Sequence, residues 1–240
     1  MPVVQLEQIN AVEKFDAGTD GSGNPKEIEI VAFGDNTISM REHVDGEGGD
    51  GPLKAQVLID VLAEMAIELW QLDSQAAREA AAGADAGGIR VIRWGRQWFD
   101  DGDWRPANVE EKARLFKFDE TGTYIMQGVS GVKKVYHDEF AVDEHGQPTP
   151  VEDRPALLLA GVTDGWCFDN ADFEKFCSSL GGDIFLVLVV IGSGNEYRQA
   201  VQGYAKIAES NPHFVLIPMG THPNVVKVKD AFLKLAGAYE

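Results

Sequence analysis

The chain has 240 residues, of which 44% are apolar and 25% charged, with a formal net charge of −18. That length predicts one large domain that buries about three quarters of its unfolded surface. The negative charge argues against nucleic acid as a principal partner, because phosphate binding needs clustered Lys and Arg. It favours a well-solvated surface that steers cations or basic partners.

Cys167 and Cys177 are the only cysteines, and they form no CxxC pair. A reduced, cytoplasmic protein is the natural expectation, with one disulfide between the two left open. The start, Met1-Pro2-Val3-Val4-Gln5-Leu6-Glu7, lacks the basic and apolar regions of a signal peptide. The longest apolar run, Ile184 to Gly192, falls short of the roughly 20 residues a membrane helix needs, so no membrane partner is expected.

In chain order, residues 1–26 read as an N-terminal arm that packs on the body or on a partner, with a turn-rich stretch over 16–25. Residues 27–240 read as one α/β domain. A buried strand at 28–34 opens it. Residues 41–52 form an acidic, glycine-rich loop carrying Glu42, Asp45, Glu47 and Asp50, read as solvated and mobile. An amphipathic helix follows over 53–73, its apolar face built from Val57, Leu58, Val61, Leu62, Met65 and Leu69. Residues 76–86 either extend or loosen that helix, and Gly83 and Gly87-Gly88 end it.

Ile89 to Trp94 alternates as a strand. Residues 97–112 read as an irregular acidic loop, Ala113 to Phe118 as an edge strand, and Tyr124 to Phe140 as a helix weakened by Gly128 and Gly131. Residues 143–155, with three prolines (148, 150, 155), read as an exposed loop. The remainder alternates strand and helix: strands at 156–162, 184–191 and 214–219, helices at 171–180, 196–209 and 225–236. These strands are continuous apolar runs, the pattern of a parallel sheet covered on both faces. A three-layer, doubly wound, mostly parallel α/β fold is therefore expected.

Ligands of such sheets sit beyond the carboxyl ends of the strands. Those ends carry Asp35, Thr37 and Ser39 after the first strand, Asp119 to Thr123 after the strand at 113–118, Thr163-Asp164-Gly165 after the strand at 156–162, and Gly192-Ser193-Gly194-Asn195 after the next. Carboxylates and hydroxyls from three loops meeting in one crevice would suit Mg²⁺, Mn²⁺ or Ca²⁺ and not zinc. Taken singly, each residue has a plainer role: Asp35, Ser39 and Thr123 as helix caps, and Asp164 in an Asp-Gly turn.

Together, the run Asp35-Asn36-Thr37-Ile38-Ser39-Met40 resembles the D-x-S-x-S motif of von Willebrand factor type A domains with a metal-ion-dependent adhesion site. Bacterial members commonly carry Met after that motif. Thr123 in Thr121-Gly122-Thr123-Tyr124 matches the family's second-loop threonine, with Thr121 as runner-up. Asp164 in Val162-Thr163-Asp164-Gly165 matches the third motif. The order of elements agrees over about residues 27–237, and the bacterial branch associated with tellurium-resistance and stress operons is similar. Two positions depart from the pattern. Thr37 replaces Ser and stiffens χ1, and Ile38 replaces Gly and restricts the turn.

The resemblance implies a non-catalytic protein-interaction module. Asp35, Thr37, Ser39, Thr123 and Asp164 would hold the ion, and an Asp or Glu of a protein partner would fill its open position. Two rivals stand beside it: a Mg²⁺-dependent hydrolase or phosphotransferase in the same crevice, and a metal-free structural subunit of a phage- or stress-related assembly. Cys167 is a further candidate nucleophile if His43, His213 or His222 approaches it. Gly192-Ser193-Gly194 reads as a tight strand-to-helix turn, lacking the Lys of a phosphate loop. Trp94 reads as core, and Trp98, Phe99 and Trp104 as either a clasp or an exposed patch.

Overall fold

The computed structural model describes residues 15–46, 48–79, 88–143, 145–165 and 167–237. The expected helix ends at Gly83 and Gly87, the loop acid Glu47, and residues 1–14 of the arm lie outside these. The described elements run β1 (Ile28–Asp35), α1 (Lys54–Glu79), β2 (Ile89–Trp94), β3 (Trp98–Trp104), α2 (Val109–Ala113) and α3 (Ile125–Phe140). There follow β4 (Ala156–Thr163), α4 (Asn170–Ser178), β5 (Ile184–Ile191), α5 (Gly194–Ser210), β6 (Phe214–Gly220) and α6 (Val225–Leu235).

The strands form one sheet in the order β3-β2-β1-β4-β5-β6. β1 lies parallel to both β2 and β4, and β5 continues the parallel set to β6. Only β3 runs antiparallel. The expected doubly wound, mostly parallel sheet is what the chain forms. β1 and β4 are buried along almost their whole length because helices cover both faces.

Alternate residues of β1 feed two cores. Ile30 and Ala32 join Leu58, Leu62 and Met65 of α1 and Phe232 of α6. Val31 and Phe33 join α3, α4 and α5 through Val129, Phe173 and Tyr204. The two glycines expected to weaken α3 instead let it approach the sheet. A Cβ on Gly128 would stand 2.7 Å from the Phe33 and Trp94 rings, and one on Gly131 2.8 Å from Ile92. Trp94 and Trp104 are fully buried, so Trp104 belongs to no exposed patch. Trp98 is half-buried against the α3 face.

Two expectations fail between residues 97 and 118. The acidic stretch read as an irregular loop is β3, followed by α2. Asp and Gly are depleted in strands, but β2 supplies the compensating charge. Arg90 bonds Asp100 at 2.6 Å and Arg93 bonds Asp101 at 2.9 Å, and the Arg93 guanidinium lies 4.4 Å over the Phe99 ring. Ala113 to Phe118 is no strand. Its alternation comes from a turn that sends Phe116 into the core against Trp104, with ring centroids 6.0 Å apart. Phe118 adopts a positive φ of 50°, outside the strand region.

Candidate metal centre

β1 and β4 end side by side, with Gly34 in register with Val162. The polypeptide therefore delivers Asp35 and the Thr163-Asp164 pair to one place. Asp35 is fully buried. Its Oδ1 accepts from the Thr37 amide at 2.9 Å and the Thr37 hydroxyl at 2.6 Å, and its Oδ2 accepts from the Thr163 hydroxyl at 2.9 Å. Thr37 Oγ1 and Ser39 Oγ lie 3.1 Å apart. Burial, and secondarily the charge of Asp164, push the Asp35 carboxyl up to about 7, against the lowering pull of the Thr37 and Thr163 hydrogen bonds.

Thr37 is the N-cap of a short 3-10 turn over Ile38–Arg41 but makes no capping hydrogen bond, because its hydroxyl is turned to Asp35. Ile38 is 56% exposed, so the residue that replaces glycine here meets solvent. The second loop is stitched to this motif. Ile38 N–H donates to the Glu120 carbonyl at 3.1 Å, and Phe118 N–H to the side-chain oxygen of buried Asn36 at 2.9 Å. Thr123 is buried on that loop, whereas Thr121, the alternative, is exposed. The capping role for Thr123 does not hold. α3 is capped at Tyr124, and its first amides, Ile125 and Met126, donate to the Asp169 carboxylate at 3.0 Å each.

Asp164 is 8% exposed. Its Oδ2 accepts from the Lys54 ammonium at 3.3 Å, while its Oδ1 is buried with no hydrogen-bond partner among the described residues. Lys54 is itself buried and also bonds Glu42 at 3.0 Å. Burial pulls its ammonium down, but the charges of Asp164 and Glu42 outweigh that and hold it above the ordinary lysine range. A crevice of about 280 Å³ opens beside this pair, lined by Glu42, Lys54 and Asp164 on one side and Ser193 to Tyr197 on the other.

The donor set is hard oxygen: two carboxylates and several hydroxyls. Among the described residues no group of three or more His, Cys, Asp or Glu gathers to hold a metal. Oxygen donors of this kind would suit Mg²⁺, Mn²⁺ or Ca²⁺ better than zinc. The partnerless Asp164 oxygen is the kind of buried atom that otherwise demands an explanation. Sequence alone did not mark Lys54, and it placed Thr163 within the third motif without a role for its hydroxyl. One signal for Lys54 was available, since a lysine opens α1 and no acid stands in its first turn, an arrangement the helix dipole disfavours.

The other candidates settle elsewhere. Cys167 and Cys177 are both free and buried. Burial pushes the Cys167 thiol well up, with Asp35, Asp169 and Asp164 adding to it, so the thiolate a nucleophile needs is suppressed. His213 bonds the Ile184 carbonyl at 3.3 Å, at the opposite end of β5 from the site. His43 is engaged by the Gly51 carbonyl, and His222 contacts Thr221 at 2.9 Å. Gly192 and Gly194, both at positive φ, make the strand-to-helix turn expected of them. In the acidic loop, Asp45 accepts from the Asp50 and Gly51 amides at 3.2 Å, so its carboxylate organises the turn.

No family model and no curated protein matches this chain. Solved structures do. An aerotolerance-related membrane protein from Bacteroides fragilis superposes with a TM-score of 0.53 at 12% identity, covering 88% of this chain and 100% of that one. BatB from Bacteroides thetaiotaomicron gives 0.52 at 10% identity, covering 88% and 99%. The SpRpn10 VWA domain gives 0.51 at 9%, covering 86% and 94%. Among the described residues no helix is long and apolar enough to cross a membrane. With β3 antiparallel at the edge and five parallel strands behind it, the chain has the von Willebrand factor A fold.

Proposed function

We propose that the chain is a protein-interaction module built on a single-ion site at the carboxyl ends of β1 and β4. The carrying observation is the buried, partnerless Oδ1 of Asp164 beside the buried charge of Asp35. Asp35, Thr37, Ser39, Thr123 and Asp164 would hold Mg²⁺, Mn²⁺ or Ca²⁺. When bound, the ion supplies an electrophile that a partner's Asp or Glu carboxylate completes.

The chain's own residues prepare that contact. Thr37 and Thr163 orient the Asp35 carboxylate, and Asp169 fixes the start of α3 next to Thr123. Exposed apolar side chains border the same loops: Ile38 at 56%, Tyr124 at 36% and Phe168 at 60%, the last two with ring centroids 5.4 Å apart and planes tilted by 31°. A carboxylate flanked by apolar groups is thus the partner surface that fits, since exposed apolar side chains grouped around a polar centre suit protein contact. The stress- and tellurium-resistance association rests on the motif resemblance.

Thermal melts test the reading. Mg²⁺ or Mn²⁺ at about 100 times its Kd adds about 2.7 kcal/mol of stability by linkage, or about 5–10 °C for a domain of this size. EDTA reverses the shift and Asp35→Ala abolishes it. The same contrast, Mg²⁺ against EDTA and wild type against Asp35→Ala, is expected in partner capture. Melts indifferent to divalent ions and chelator would overturn the reading.

A further inference from the structure

Lys54 stands where a family resemblance gives no reason to expect a cation. Its ammonium lies 3.3 Å from Asp164 Oδ2, 3.0 Å from Glu42 Oε2 and 3.5 Å from the Ser39 carbonyl. The position is prepared for it. A Cβ on Gly192 would come within 3.2 Å of Lys54 Cε, so the glycine turn after β5 leaves the lysine stem its passage. The two acids it bridges differ sharply in exposure: the Asp164 side chain is 7% exposed and the Glu42 side chain 54%.

We infer that Lys54 is the resident cation of this site: its ammonium neutralises Asp164 in the metal-free chain, and a divalent ion must compete with it for that carboxylate. The inference rests on the metal reading above and adds its regulation. One carboxylate then has two claimants, with the ammonium on Oδ2 and the buried, partnerless Oδ1 left for the ion. Like charges brought to one buried carboxylate repel strongly. The ion therefore binds more weakly than its oxygen donors alone would allow, and Lys54 is driven from the buried seat toward the solvated one at Glu42. Removing this cationic neighbour of Asp164 would leave two buried carboxylates facing each other. Lys54 thus keeps the metal-free fold intact and sets the ion concentration at which the site fills.

Calorimetric titration of Mn²⁺ into EDTA-stripped protein tests this, with Lys54→Gln, Glu42→Gln and the double variant beside wild type. Gln at 54 keeps a hydrogen-bond donor on a stem one carbon shorter and removes the charge. The expected result is Mn²⁺ binding about tenfold tighter in Lys54→Gln and a lower melting temperature without metal. Glu42→Gln, which removes the alternative seat, should bind Mn²⁺ several-fold more weakly, and that loss should vanish when Lys54→Gln is also present. Equal or weaker Mn²⁺ binding by Lys54→Gln, with Asp35→Ala still abolishing it, overturns the inference and leaves the metal reading standing. If neither wild type nor Lys54→Gln binds Mn²⁺, the metal reading falls and competition falls with it. Should Lys54→Gln not fold, Glu42→Gln decides: weaker binding supports the competition and unchanged binding overturns it.

Discussion

At the β2–β3 edge Asp100, Asp101 and Asp103 each face a guanidinium, from Arg90, Arg93 and Arg105 at 2.6, 2.9 and 3.2 Å. At the ends of β1 and β4, the Lys54 ammonium bonds Asp164 but not Asp35, and divides its charge with Glu42. Asp100 and Asp101 bridge β3 to β2, Asp103 pairs two residues along its own chain, and all three are neutralised where they stand. The site acids are buried, repel each other, and leave one carboxylate oxygen without a partner among the described residues. A carboxylate matched one-to-one with arginine has done its work once the strand forms. A buried pair short of positive charge keeps an attraction for a cation, and so acidic clusters of similar composition differ in what they are for.

The largest expected effect separates the two regions by pH. Asp35 titrates near 7 in the fold and near 3.8 when unfolded, so the native state binds the extra proton between those values. The stability it confers is present below about pH 4 and is lost as pH rises through about 7, on the order of 4 kcal/mol in metal-free protein. Denaturant melts from pH 4 to 8 should show that decline. Asp35→Asn should flatten it, and saturating Mn²⁺ should oppose it. A wild-type profile parallel to that of Asp35→Asn would mean the buried charge is already compensated, and the contrast between the regions would collapse.

Next in size, Arg93→Ala strips the guanidinium from Asp101, whose side chain is 2% exposed. Burial already raises the Asp101 carboxyl while Arg93 opposes it. Leaving it unpaired should cost about 3 kcal/mol, equally with Mg²⁺ and with EDTA. A loss that responds to divalent ions would show the edge to be coupled to the site.

Much of this was legible in the sequence. Continuous apolar runs at β1, β4, β5 and β6 announced a sheet covered on both faces, and α1 announced itself by its spacing. The positions of Asp35 and Asp164 just past apolar runs placed them at the ends of neighbouring strands, whereas the Thr123 loop follows α2 rather than a strand and is held beside them by the Thr37–Glu120 bridge. What escaped were pairings across distance. WFDDGDW reads as a loop until Arg90 and Arg93 are placed opposite it, and those partners are separated by a turn that no local pattern scores. Phe116 and Phe118 mimic a strand because a period of two over five residues does not distinguish a strand from a turn with one buried ring. Lys54 lies 110 residues from Asp164, so only the sheet order reveals that the first residue of α1 faces the end of β4.

The smallest effect belongs to Arg90 and Asp100, and it completes the contrast by its sign. Their side chains are 31% and 28% exposed, joined in a fork of 2.6 and 3.2 Å with Glu139 at 3.6 Å behind. Burial raises the Asp100 carboxyl, but the bonds from Arg90 and the Gly102 amide win and hold it below its ordinary range. A depressed carboxyl stabilises the fold above its unfolded value and loses that contribution as pH falls through the folded one, the reverse of Asp35. Water screens the pair, so a double-mutant cycle of Arg90→Ala and Asp100→Asn should give about 0.2–1 kcal/mol of coupling at pH 7, and less at pH 3. Coupling that grew on acidification would place Asp100 with the site carboxylates, not with the edge, and would show that pairing with arginine fails to distinguish the two acidic regions.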